Sequence, residues 1–452
     1  MGDMPRFLDR YQLERPRSDH PLGFAAALAD HHVPGISLAL LEHGEVTQTW
    51  TMGRRSVTSD APVEPDTLFQ AGSISKSIAA ACVLRLADEG VLDLDTDVNE
   101  LLKSWQVPAN DGWQPHVTLR QLLAHTAGTT VHGLIGYPPG MPVPSVPDLL
   151  DGHGNSAPVR VTALPGVRHG YSGGGYTIAQ LALTDVTGLD FDTLAWELVF
   201  EPAGMVHSTF AQPLDRARAA NAAAGHRPGP APVAGGWHTY PDMAAAGLWS
   251  TASDLARFFA AIRASVAGAP GALLSEQSAR AMLARGAPNV PYGLGVTIAE
   301  PGEPAFVGNS GTDEGYRSWA GIHLADGSGA AVMANGDYGY ELITDVLLPA
   351  LRREYGWPAA PAAPTPAVAA GDLAGRYASG DDEFLVAETD AGLTLTVPGQ
   401  PSVPLTAGTD GGWRARVLNV DVRFADRDGD RVLVLHQELV PHADVEATRV
   451  TG

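Results

Sequence analysis

Cysteine is almost absent from the 452-residue chain, since Cys82 is the only one. One cysteine excludes disulfide bonds within the chain and a zinc site built from several thiolates. Cys82 lies in the apolar run "AAACVLRLA", which favours an inert core position. No HExxH pattern or carboxylate cluster occurs either, so we expect neither a metal nor another cofactor.

Basic residues are also scarce, with 29 Lys and Arg against 51 Asp and Glu and a net charge of −22. Such a chain repels phosphate backbones and anionic lipid surfaces, which argues against nucleic-acid or membrane partners. No apolar run approaches the length of a membrane span. The first twenty residues alternate charges and lack the apolar core of a signal peptide, so we expect a cytoplasmic protein. We also expect a monomer or weak homo-oligomer.

The elements that are present indicate an α+β fold in two parts. Residues 33–53 are typical of a hairpin, residues 73–90 of a buried helix, and residues 304–336 of strands separated by Gly-rich turns. An Ala/Pro-rich stretch, 357–371, predicts a semi-rigid linker between domains 1–356 and 372–452. Period-two alternation in the second domain predicts a small antiparallel β-barrel.

The candidate chemistry begins with Ser73 and Lys76 in "FQAGSISKSIAAA". Three-residue spacing puts both side chains on one helix face, and a serine at a helix N-terminus lies beside free backbone N–H groups. Lys76 is the only charged residue between Ala71 and Arg85. Burial would favour its neutral amine, which could then accept the serine proton without a histidine.

"FQAGSISK", together with "VTLRQLLAHTAG", "PGVRHGYSGGGYTIAQLA" and "MAAAGLWSTASDLARF", resembles the serine β-lactamase and penicillin-binding-protein superfamily. The closest likeness is to its class C β-lactamase, D-aminopeptidase and family VIII esterase branch, over roughly residues 20–355. The resemblance implies an antiparallel sheet flanked by helices plus a helical subdomain. The C-terminal part resembles the lipocalin-like barrel often appended to these hydrolases.

The resemblance implies that three motifs meet in one cleft. They are Ser73-x-x-Lys76, a Tyr-x-Asn motif matched by Tyr171-Ser172-Gly173, and a Lys-Thr-Gly or His-x-Gly motif matched by Asn309-Ser310-Gly311. In this scheme Ser73 is acylated, Lys76 and Tyr171 move its proton, and the N–H groups of Ser73 and Thr312 form the oxyanion hole.

Two departures from the motifs bear on the substrate. Gly173 replaces the usual asparagine, and Asn309 replaces the usual lysine or histidine. A neutral Asn309 cannot pair with a substrate carboxylate. We therefore expect esters, thioesters or peptide amides and not β-lactams, with a small-molecule or peptidyl acyl substrate and an amine as a second acceptor besides water.

Other residues are candidates for substrate contact. Trp237 and Tyr240 lie in a Gly/Pro-rich loop and could line the pocket, although loop packing explains them equally well. Tyr316 and Arg317 follow the third motif and could contact substrate. His125, in "LLAHTAG", is interpreted as a local hydrogen-bonding residue at a helix end, with a proton relay as the alternative.

Two other hypotheses compete with the Ser73 enzyme. Gly170-Tyr171-Ser172-Gly173-Gly174 matches G-x-S-x-G, which would make Ser172 the nucleophile of an α/β-hydrolase. The preceding "LPGVRHG" is too short and too rich in Pro and Gly for the central strand that this motif needs. The second hypothesis is a catalytically silent binding protein on the same fold, supported by the residues at 173 and 309.

Overall fold

The computed structural model describes residues 24–227, 231–287, 290–299, 305–357 and 370–379, and shorter segments from 382 to 450. The first twenty residues and most of the predicted linker lie outside these residues. The described chain divides into two compact units, one over the described residues up to Trp357 and the other from Ala370 onwards. None of the described helices is long and apolar enough to cross a membrane.

The first unit is built on a six-stranded antiparallel sheet of order β2-β1-β8-β7-β6-β5. Its strands are β1 Gly35–Glu42, β2 Glu45–Gly53, β5 Thr297–Ile298, β6 Phe306–Asp313, β7 Tyr316–His323 and β8 Gly329–Ala334. The predicted hairpin and the late strands are confirmed. A separate pair joins β3 Phe69–Gln70 to β4 Trp249–Ser250.

Both faces of this sheet are covered, which explains why β1 is apolar at nearly every position. Ala39 and Leu41 belong to one core cluster, whereas Ile36, Leu38 and Leu40 belong to another. Because successive side chains point to opposite faces, a strand buried on both sides loses the polar half of its alternation.

The first unit also contains thirteen described helical segments of the α type. They are α1 Phe24–Asp30, α2 Ser75–Asp88, α3 Val98–Leu101, α4 Leu119–Leu123, α5 Val146–Leu150, α6 Gly173–Thr187, α7 Phe191–Ala195, α8 Arg216–Ala220, α9 Met243–Ala246, α10 Ala252–Val266, α11 Glu276–Met282, α12 Gly339–Glu341 and α13 Leu348–Tyr355. A 3-10 turn, Gly72–Ile74, leads into α2, and π-helical segments Trp196–Phe200 and Leu342–Leu347 follow α7 and α12.

The predicted buried helix is confirmed as α2, together with the 3-10 turn before it. Residues on every side of α2 are buried, including Lys76 at 2 % exposure. The helix contacts α6 and α9, and β6 runs against the 3-10 turn. These contacts bring three distant parts of the chain together at Ser73.

The second unit holds α14 Ala370–Leu373 and a nine-stranded antiparallel sheet of order β12-β11-β10-β9-β17-β16-β15-β14-β13. The strands are β9 Gly375–Ser379, β10 Asp382–Thr389, β11 Gly392–Thr396, β12 Val403–Pro404, β13 Thr406–Ala407, β14 Trp413–Ala415, β15 Val420–Arg427, β16 Asp430–Gln437 and β17 Val445–Arg449. The predicted antiparallel β fold is confirmed. It takes the form of a curled half-barrel, since no described pairing joins β12 to β13.

Candidate active site

Ser73 sits at the point where the 3-10 turn enters α2, and two side chains converge on its hydroxyl. Lys76 Nζ lies 3.0 Å from Ser73 Oγ, one helical turn along. The phenol of Tyr171 donates to the same Oγ at 2.7 Å. The three residues from the first two predicted motifs therefore form one hydrogen-bonded cluster.

Lys76 is held in place by the backbone of α9. Its Nζ donates to the Ala245 carbonyl at 2.7 Å and lies 4.8 Å from the centre of the Tyr171 ring. With one bond fixed to Ala245, the amine stays directed at Ser73. This carbonyl could not be predicted from the sequence, because any residue at position 245 supplies one.

Tyr171 packs against two imidazoles, those of His125 and His132, at ring-centre distances of 4.2 and 4.7 Å. Burial lowers the pKa of His125 well below its ordinary value, and the nearby charge of Lys76 adds to this. Burial, and then Lys76, lower the pKa of His132 to about 4. Both rings are therefore neutral near pH 7, and Tyr171 meets no added positive charge from them.

The segment that carries these histidines has an unusual backbone. His125 has φ of 57° and Val131, next to His132, has φ of 61°. Left-handed backbone is costly for a β-branched residue and is found where surrounding contacts enforce it. Here the Val131 and His132 carbonyls accept hydrogen bonds from Gly174 and Gly173, which dock this segment on the start of α6. Sequence reasoning missed His132.

Ser172 has a structural position. It caps α6: its Oγ accepts from Gly175 N at 3.0 Å and donates to the Thr130 carbonyl at 2.7 Å. Its backbone N–H donates to His125 Nδ1 at 3.1 Å, a bond between residues 47 apart in the chain and not the local one expected for that histidine. Ser172 is 1 % exposed, and its hydroxyl is fully engaged by backbone groups.

β6 brings the third motif to the other side of Ser73. In the β6–β7 hairpin Asp313 lies opposite Tyr316. Hydrogen-bonded and non-hydrogen-bonded pairs alternate along an antiparallel hairpin, so the N–H of the next residue, Thr312, points away from β7. The edge of β6 that faces away from β7 lies against the 3-10 turn, because a Cβ on Gly72 would be 2.5 Å from Thr312 N. The Thr312 amide thus points towards the turn that carries Ser73.

Glycine at two positions makes this approach sterically feasible. Gly72 has φ of 53°, and a Cβ on Gly311 would lie 1.8 Å from the Ala71 carbonyl oxygen. The Asp313 carboxylate then fixes the junction, because its Oδ2 accepts a hydrogen bond from Gly72 N at 3.0 Å.

Asn309 directs its amide into the protein. Its Nδ2 donates to Ser77 Oγ at 3.0 Å and to the Gly295 carbonyl at 3.1 Å, and its Oδ1 accepts from Ser310 N at 2.9 Å. Asn309 thereby ties β6 to α2. Ser310, its half-buried neighbour, and Gly311 complete the strand beside Ser73.

Gly173 begins α6 next to Tyr171. A Cβ at this position would lie 3.1 Å from the His132 carbonyl oxygen, 3.5 Å from Leu134 Cδ1 and 3.7 Å from Ala245 Cβ. The place where an asparagine side chain would start is therefore bordered mainly by apolar groups.

The remaining candidates lie around the β6–β7 hairpin. The buried Tyr240 accepts a hydrogen bond from Glu314 N through its hydroxyl, at 3.2 Å. Tyr316 is buried and donates to the Ala223 carbonyl at 2.6 Å. Arg317 pairs with Asp337 at 3.0 Å.

Trp237 is half-buried and packs edge-on against Trp249, with ring centres 5.3 Å apart. Substrate contact by Trp237, Tyr240, Tyr316 or Arg317 stays a prediction.

Comparisons with known proteins identify the family of the chain. The Beta-lactamase family model matches residues 23–348. The chain is 28 % identical to Penicillin-binding protein 4 of Amycolatopsis lactamdurans, over 72 % of this chain and 86 % of that protein. It is 35 % identical to Esterase EstB of Burkholderia gladioli, over only 23 % of this chain and 27 % of the esterase.

A solved structure of SurE with D-Leu superposes with a TM-score of 0.62 and 25 % identity, covering 94 % of this chain and 97 % of that one. This likeness extends over most of both units. The family match covers most of the first unit, including all three motifs. The chain belongs to the beta-lactamase family, within the serine hydrolase superfamily.

Proposed function

We propose that this protein is a serine hydrolase or acyltransferase that works through an acyl-enzyme on Ser73. The observation that carries the proposal is the position of Ser73 Oγ, 3.0 Å from Lys76 Nζ and 2.7 Å from the Tyr171 phenol oxygen. A hydroxyl needs a base to become a nucleophile, and both groups are within proton-transfer distance.

The proposed reaction begins when Lys76 takes the Ser73 proton and Ser73 Oγ bonds to the substrate carbonyl carbon. The backbone N–H groups of Ser73 and Thr312 receive the oxyanion, in a geometry that the contact of β6 with the 3-10 turn supports. As the bond between the carbonyl carbon and the leaving group breaks, Tyr171 gives its proton to the leaving group and regains one from Lys76 through their shared hydrogen-bonded cluster. Water, or an amine or alcohol, then attacks the acyl carbon, its proton returns through the same groups to Ser73 Oγ, and the bond between Ser73 and the acyl group breaks.

We propose an ester, thioester or peptide amide as the acyl donor. The Asn309 amide is occupied within the protein, so that position supplies no cation for a substrate carboxylate. The apolar border at Gly173 favours an acyl group with an apolar portion. Because the related SurE structure contains D-Leu, D-amino-acyl donors belong in the first substrate panel.

Intact-mass analysis after brief incubation with p-nitrophenyl esters tests this function. We expect the wild-type protein to gain one acyl group and Ser73→Ala to gain none. Ser172→Ala, the matched control from the competing motif, should still be acylated once corrected for its folded fraction. Acylation that persists in Ser73→Ala would contradict the proposal. Saturable binding of an ester without any acylation or turnover would instead support the silent binding protein.

A panel of p-nitrophenyl esters, D-amino-acid amides and thioesters then identifies the acyl donor. Adding an amine acceptor distinguishes the two fates of the acyl-enzyme, because transfer gives a new amide and hydrolysis gives the free acid.

A further inference from the structure

Asp242 is a buried carboxylate without an evident structural purpose. It lies just before α9, it is 0 % exposed, and neither of its oxygens accepts a hydrogen bond from another side chain or backbone group of the described residues. Buried carboxylates are normally paired or hydrogen-bonded, because an unpaired one costs several kcal/mol. The described contacts therefore do not explain why this carboxyl group is buried.

The position of Asp242 connects it to Lys76. Asp242 precedes α9, whose Ala245 carbonyl accepts a hydrogen bond from Lys76 Nζ at 2.7 Å. The Asp242 carbonyl in turn accepts from Ala245 N at 2.9 Å, so the two residues share one turn of backbone. Among the described side chains, Lys76 is the one whose positive charge favours the carboxylate form of Asp242.

Burial raises the pKa of Asp242 to about 6, opposed by its own backbone N–H and by the charge of Lys76. The other titratable groups that face it are Asp313 and Tyr240, whose pKa values are both raised well above the ordinary ones, mainly by burial. Above about pH 6 the buried Asp242 is therefore mainly a carboxylate, and its charge interacts with that of Lys76.

We propose that Asp242 is a positioning residue of the reaction, a buried counter-charge that stabilises the ammonium formed when Lys76 takes the proton of Ser73. In that step the Ser73 O–H bond breaks, a Lys76 N–H bond forms, and Asp242 stays unprotonated. This inference rests on the proposed function of Ser73. It adds a fourth member to the cluster, one that touches neither Ser73 nor the substrate.

The test is the pH dependence of kcat/KM for Asp242→Asn, which keeps the shape of the side chain and removes its charge. In the wild type, kcat/KM should fall below about pH 6 as Asp242 becomes protonated. The variant should lose this acid limb, and its kcat at pH 8 should fall roughly 10- to 100-fold with little change in KM.

Glu341→Gln is the matched control. Glu341 is a partly buried carboxyl that, like Asp242, has an oxygen without a hydrogen-bond partner and a pKa raised by burial, but Lys76 does not influence it. It should keep the wild-type profile. A purely structural role for Asp242 would lower the melting temperature of Asp242→Asn and leave its acid limb in place. That outcome, or an unchanged kcat with an unchanged profile, would overturn the inference.

Failure of this inference is distinguishable from failure of the proposed function. If Ser73 is acylated in the wild type but Asp242→Asn behaves as wild type, only the role of Asp242 is wrong. If Ser73 is never acylated, the proposed function itself is wrong.

Discussion

The backbone N–H of Gly72 donates a 3.0 Å hydrogen bond to the carboxylate of Asp313. Gly72 immediately precedes the candidate nucleophile, and Asp313 immediately follows Thr312, the second candidate oxyanion donor. One hydrogen bond thus ties together two segments that are 241 residues apart in the chain. The spacing between the backbone N–H groups of Ser73 and Thr312, the two candidate oxyanion donors, depends on this junction.

Gly311→Ala should separate the two segments. A Cβ at this position would lie 1.8 Å from the Ala71 carbonyl oxygen and 2.5 Å from Ser318 Oγ, so β6 must move away from the 3-10 turn. We expect kcat/KM to fall at least about 100-fold, the usual effect of losing an oxyanion donor. Gly133→Ala is the control, because a Cβ there meets nothing within 4 Å and should leave steady-state kinetics unchanged. Equal activities of the two variants would contradict this role for the junction.

Tyr171→Phe should reduce turnover without disturbing the fold. The ring keeps its packing against His125 and His132, and only the 2.7 Å hydrogen bond to Ser73 is lost. We expect kcat to drop about 100- to 10,000-fold, the range for removing a general acid or base, with KM nearly constant. Kinetics with an activated ester, alongside thermal melting, checks this. Retention of wild-type kcat would remove Tyr171 from the proton path.

Ser172→Ala should show the reverse effect. The variant loses the N-cap of α6, which should cost about 1–2 kcal/mol of unfolding free energy. Per folded molecule its activity should stay within a few-fold of wild type. Chemical denaturation and active-site titration together measure both effects. A large loss of kcat at unchanged stability would revive Ser172 as the nucleophile.

Asp242→Asn should make the protein more stable at neutral pH. Burial raises the pKa of Asp242 from 3.8 to about 6, so its protonated form is favoured in the fold. Asp242 therefore contributes about 3 kcal/mol to the free energy of unfolding below pH 3.8, and this contribution is lost as the pH rises through 6. We expect the variant to match the wild type near pH 4 and to exceed its unfolding free energy at pH 7–8. Lower stability at pH 8 would contradict the burial argument.

His132→Asn should have the opposite pH dependence. Burial lowers the pKa of His132 from 6.5 to about 4, so the contribution of His132 to the free energy of unfolding is fully present above pH 6.5. It is lost as pH falls through 4, again about 3 kcal/mol. The variant should therefore lose less stability than the wild type between pH 6.5 and 4. Denaturant melts across that range measure this, and parallel curves for the two proteins would contradict it.

The sequence carried enough information to predict both the fold class and the central cluster. Lys76 stood out because a charge is costly in an apolar helix, and β1 and α2 were recognisable from their continuous apolar runs. The G-x-S-x-G match could have misled, since a serine before a glycine-rich helix start is also a good N-cap. In the structure Ser172 occupies that capping position.

The surrounding contacts were not predictable from local patterns. The Ala245 carbonyl belongs to the backbone, so no residue type in the sequence marks it. Asp242 matters only because of Lys76, 166 residues away in the chain. His132 matters only because of Tyr171, 39 residues away. The bonds of the Asn309 amide to Ser77 and Gly295 were equally hidden, because they depend on β6 running against the 3-10 turn at the start of α2.

Adduct mapping with a fluorophosphonate tests the central claim most directly. After labelling, proteolysis and mass spectrometry locate the modified residue in the wild-type protein and in Tyr171→Phe. Our account predicts a single adduct on Ser73, formed much more slowly in the variant. An adduct on Ser172, or labelling of Ser73 at the same rate in both proteins, would contradict it.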